Sequence, residues 1–89
     1  MDINKYNTRV RQAISDELVK CSKRKQEYGD KYVAILKRLE NEVDTLSYRE
    51  YKKLEDEKDF LVEMQQIEDI RYDIWDKARE ICLNIADEY

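Results

Sequence analysis

Side chains able to do acid–base or metal chemistry are unevenly supplied in this 89-residue chain. It has 21 Asp and Glu, 17 Lys and Arg, two cysteines and no histidine. Histidine is the side chain whose charge changes near neutrality and the commonest general acid or base. Without it, proton transfer would fall to a carboxylate lifted by burial beside a partner. The acidic residues mostly occupy outward positions of helical stripes, where they are solvated surface. Glu-x-x-His pairs, which build carboxylate metal centres in helical bundles, cannot occur. Cys21 and Cys82 stand far apart and form no C-x-x-C pair, which argues against zinc. They read as small buried hydrophobes, with a disulfide the lesser alternative in a reducing compartment. One glycine, Gly29, cannot build a phosphate-cradling loop. No catalytic, cofactor-binding or metal-binding residue is expected, and no small-molecule substrate.

Charge narrows the partners. The net charge of −4 argues against direct nucleic-acid binding. The only basic cluster, Lys20-Cys21-Ser22-Lys23-Arg24-Lys25, has no interleaved aromatics to stack on bases. Its cations suit the negative end of a helix. Residues 1–28 carry seven basic against four acidic side chains, and residues 29–89 carry ten against seventeen. The longest apolar run is a few residues, far short of the ~18 needed for a bilayer span. The start Met1-Asp2-Ile3-Asn4 lacks the basic, apolar character of an export signal. A cytoplasmic protein with no membrane contact is expected.

The elements that carry these residues are helices. Charged residues make up 43% of the chain and hydrophobic residues 42%, with one glycine and no proline. Hairpin turns need Gly and Pro-type residues, so a β-rich fold is disfavoured. Apolar residues large enough to build a core argue against disorder.

Ile3, Tyr6, Val10, Ala13, Ile14, Leu18 and Cys21 recur mostly in steps of three and four, which predicts a helix over residues 2–28. Gly29 then reads as a left-handed helix cap and Asp30 as the next N-cap. A second helix is expected over 31–45, with Tyr32, Leu36, Leu39, Val43 and Leu46 as a seam widened by Ile35. Ser47-Tyr48-Arg49-Glu50 is a capping box, and Leu46 with Tyr51 is its hydrophobic staple, so a third helix starts at Tyr48. The charged stretch Lys52–Asp59 contains no breaker. A helix over 48–88 is expected to cross it, with a turn near 56–59 as the alternative.

Phe60, Met64, Ile67, Arg71, Ile74, Ala78, Ile81 and Ile85 form the longest regular seam in the sequence. The predicted architecture is therefore all-α: an antiparallel three-helix or four-helix bundle, or a coiled-coil-like hairpin with a long C-terminal helix, in a single domain. A core this thin calls for a partner or a second copy.

Seven tyrosines suit thin cores and interfaces alike. Tyr6, Tyr32 and Tyr51 lie on the stripes and are expected in the core. Tyr72 and Trp75 form a second aromatic group beside Arg71. The predicted function is a non-enzymatic helical adaptor acting on a protein partner or on itself as a homo-oligomer. Phe60, Met64, Ile67, Ile74, Trp75 and Ile81 supply the contact, and Arg71 and Tyr72 tune its specificity. A small acidic inhibitor of the phage-encoded type, occupying a basic nucleic-acid-binding groove, is an alternative suggested by the acidic C-terminal two-thirds.

Two segments bear a family resemblance. Glu27-Tyr28-Gly29-Asp30-Lys31-Tyr32-Val33-Ala34-Ile35-Leu36-Lys37-Arg38-Leu39-Glu40 resembles the aromatic-led helix with a Leu-Glu-rich end of archaeal GINS proteins. The run Ile67-Glu68-Asp69-Ile70-Arg71-Tyr72-Asp73-Ile74, leading to Ala78-Arg79-Glu80-Ile81-Cys82-Leu83-Asn84-Ile85-Ala86, resembles that family's later helix. Cys82-Leu83 stands where the family has Lys-Ile, and the chain has no room for its small β-rich domain. The resemblance implies a helical domain alone, with a scaffolding role in DNA replication.

Overall fold

The computed structural model describes the backbone of residues 3–88 and the side chains of residues 8–84. It is an all-helical hairpin of α1 (Ile3–Glu42) and α2 (Tyr48–Glu88). Forty residues at about 1.5 Å each span about 60 Å. The molecule measures 65 × 16 × 14 Å, so the two helices lie side by side over nearly their whole length.

The expected break at Gly29 is absent, and α1 runs through it as one helix. No glycine here has a positive φ, so Gly29 has ordinary helical backbone and caps nothing. The reason lies in its neighbours. Leu18, Cys21, Tyr28, Tyr32, Ile35 and Leu39 are buried or half-buried at steps set by a single seven-residue repeat. Tyr28 and Tyr32 both pack against the same cluster, so the repeat crosses Gly29 without a shift. A reversal there would have split it. The architecture is accordingly two long helices, where the sequence predicts a third.

The one reversal occupies residues 43–47. The Thr45 and Leu46 amides donate to the Glu42 carbonyl at 2.9 and 3.0 Å, and the Thr45 hydroxyl joins them at 2.9 Å. These bonds satisfy a carbonyl that the end of α1 leaves without a helical partner. The capping box then opens α2. The Glu50 amide donates to Ser47 Oγ at 3.2 Å, and the Ser47 amide donates to Glu50 Oε2 at 3.4 Å. From Tyr48 the helix crosses the charged stretch 52–59 unbroken.

Near the loop, Ile35, Leu54 and Leu61 form a buried cluster, with Tyr28, Tyr32, Leu39 and Leu46 packed against it. Farther along α1, Ile14, Leu18 and Cys21 are buried. Between these groups the seam is polar. Arg24 meets Glu68 and Lys25 meets Asp69, which fixes the level of the helices. Cys21 lines a groove with Tyr72, so Cys82, ten residues farther along α2, lies about 15 Å beyond it. Both cysteines are free thiols.

Candidate interaction surface

The contact face of α2 is displaced by one residue from the seam expected from its sequence. Leu54, Leu61 and Glu68 are buried, and Trp75 and Cys82 are half-buried, each seven residues from the last. Phe60, Ile67, Ile74 and Ile81 precede these positions by one residue. One residue is about 100° of helical rotation, enough to carry them off the contact face. They are 55%, 39%, 60% and 59% exposed, and Ile70 beside them is 60% exposed. Met64 and Ala78 are half-buried at the margin. The more apolar of the two repeats on α2 thus points outward, and the more polar one faces α1. The side chain of Ile85 lies outside the described residues, as does that of Tyr6.

The remaining predicted contact residues divide between the two faces. Tyr72 turns to the groove side, where Cys21, Leu18 and Ser22 are its neighbours. Trp75 is half-buried on the repeat of Leu61 and Glu68. Neither extends the outward stripe. Tyr51 is exposed, while Tyr32 is half-buried in the cluster. Leu36 on α1 and Val43, the first residue of the reversal, are exposed although the sequence places them in the seam.

Arg71 is not a seam residue. It is exposed at the edge of the stripe, and its guanidinium donates to Glu68 Oε1 at 2.8 Å on its own helix. Arg24 Nε donates to the same oxygen at 2.9 Å from α1. Glu68, which sequence reasoning missed as a structural residue, is the polar centre of the seam, and its side chain is fully buried. Its position seven residues from Leu61 was the available signal. Burial pushes its carboxyl up. The Arg24 hydrogen bond and the charges of Arg24 and Arg71 outweigh that and hold it below the ordinary carboxylate value. Arg24 is raised in turn, chiefly by its bond to Glu68. Arg24 also donates to Cys21 Sγ at 3.5 Å. Glu68 Oε2 is buried without a hydrogen-bond partner.

A groove of about 520 Å³ runs along the hairpin, lined by Ser15, Leu18, Val19, Ser22, Lys23, Gln26, Tyr72 and Arg79. None of the outward stripe lines it. Among the described residues, no group of three or more His, Cys, Asp or Glu is placed to hold a metal ion. No described helix is long and apolar enough to cross a membrane.

The chain matches no protein-family model, no curated protein and no solved structure.

Proposed function

We propose that this protein is a non-enzymatic helical interaction module whose docking face is the outward stripe of α2. The observation that carries this is the exposure of Phe60, Ile67, Ile70, Ile74 and Ile81 along one side of one helix. Scattered apolar residues on a surface are ordinary, but a continuous line of them marks a contact site. An amphipathic helix face of this kind docks into a groove or onto other helices through anchors at helical spacing.

The area supports the same reading. The chain exposes 7171 Å². A compact globular protein of its 10.9 kDa would expose about 5,600 Å². A two-helix hairpin has no third element to lay over its second apolar face, so the face stays open until a partner arrives.

A photoreactive residue placed at position 74, on the stripe, and at position 66, off it, tests this in cells. Crosslinks to protein at 74 and not at 66 are expected. Equal crosslinking at both positions, or none at either, contradicts the assignment of the face.

A further inference from the structure

We infer that the occupant of the stripe is a second copy of this chain, with α2 laid antiparallel on α2 about a twofold axis at Ile70. This rests on the reading of the stripe as a docking face. A symmetric dimer needs a patch that complements itself, so that residue i meets residue j and j meets i. The stripe has that property.

It reads nearly alike in both directions. Ile67 lies three residues before Ile70 and Ile74 four after; Phe60 lies ten before and Ile81 eleven after. Reversal about Ile70 sets Ile67 beside Ile74 of the second copy, and Phe60 beside its Ile81. The charges follow the same symmetry. Glu63 stands seven residues before Ile70 and Lys77 seven after, which places all three on one edge of the stripe. Both are exposed, and neither side chain forms an ion pair or hydrogen bond among the described residues. In the antiparallel pair each Glu63 faces the Lys77 of the other copy. A parallel pair would set Glu63 on Glu63 and Lys77 on Lys77, and like charges across an interface oppose association.

Two hairpins joined in this way make a four-helix assembly in which the stripes become a second core.

Sedimentation equilibrium of the full chain at about 100 μM is expected to give about 22 kDa, twice the 10.9 kDa of one copy. Glu63→Lys and Lys77→Glu each place two like-charge contacts across the axis and are expected to weaken the dimer roughly tenfold. The double variant E63K/K77E restores both pairs and is expected to return within about threefold of the original. Cysteine crosslinking reads the direction independently, in chains with Cys21 and Cys82 replaced by Ser. I70C is expected to link to itself, and F60C to link to I81C, while I81C alone does not link. A chain that stays at 10.9 kDa overturns the second copy, and the docking face then stands or falls on the position-74 crosslink to another protein. A dimer in which the double charge variant is no stronger than the singles, or in which I81C links to itself, overturns the antiparallel arrangement. The charge variants keep both native cysteines, so they stand even where the serine background fails to fold.

Discussion

Arg24 and Glu68 meet across the hairpin at 2.9 Å, beside the buried thiol of Cys21. Glu68 is sealed from solvent, while Arg24 and Arg71, which share its Oε1, retain partial exposure. A slip of one helix past the other would take Arg24 away and leave the buried carboxylate with only Arg71 of its own helix. Such a layer gives a thin two-helix seam its specificity at some cost in stability.

Truncation and apolar replacement should therefore act in opposite directions. Glu68→Ala leaves Arg24 facing a void and is expected to destabilise the hairpin by about 2–4 kcal/mol. Glu68→Leu continues the repeat of Leu54 and Leu61 and is expected to be neutral or stabilising. Urea denaturation of both variants checks this. An E68L chain as weak as E68A would show that the carboxylate contributes net stability.

The same carboxylate sets an acid limit. Its folded value lies below the ordinary 4.5, so the contribution is complete above that value. It is lost as pH falls through the lower folded value, because the unfolded chain takes up the proton first. Glu55, lowered chiefly by its bond to Lys58, acts in the same direction from a half-buried position. Stability measured from pH 7 down to pH 3 should fall below about 4.5, and less steeply in Glu68→Gln. Identical slopes for the two proteins would exclude Glu68 as the source.

Gly29 offers a stabilising change. Its backbone is helical, and an added Cβ would come no nearer than 3.7 Å to Gln65 Oε1, an ordinary contact. Gly29→Ala is expected to raise stability by about 0.5–1 kcal/mol, seen as a higher melting temperature. Destabilisation would mean that the helix bends there in solution.

Ser47 is the opposite case. Its hydroxyl accepts from the Glu50 amide, and Glu50 returns the bond. Ser47→Ala is expected to cost about 1 kcal/mol and to fray the first turn of α2. Amide exchange at residues 48–51 reports the fraying directly.

These two residues also show what the sequence made legible. The capping box was readable because its bonds are local, set by residues three apart. Gly29 was not, because a glycine ending a helix and one tolerated inside it look alike in sequence. The structure separates them through Tyr28 and Tyr32, whose shared cluster includes Leu54 and Leu61 from the far end of the loop. The all-helical class followed from composition and periodicity, but the pairing face of α2 did not. Its best apolar repeat, Phe60–Ile67–Ile74–Ile81, lies beside the repeat that packs, which carries Glu68. Greasiness alone picks the wrong one when a helix has two apolar faces and only one neighbour. Four of the eight residues expected to contact a partner, Phe60, Ile67, Ile74 and Ile81, are exposed on that unpacked repeat, for a reason the sequence did not supply.

The open stripe lies outside the hairpin's own core. Matched truncations test it most directly: Leu61→Ala on the seam and Ile74→Ala on the stripe, unfolded at a dilution where sedimentation shows single chains. Leu61→Ala is expected to cost about 2–4 kcal/mol. Ile74→Ala is expected to change stability by no more than about 0.5 kcal/mol, since alanine suits an exposed helix position. Equal losses at the two sites would place Ile74 inside the core and contradict the stripe as a free docking face.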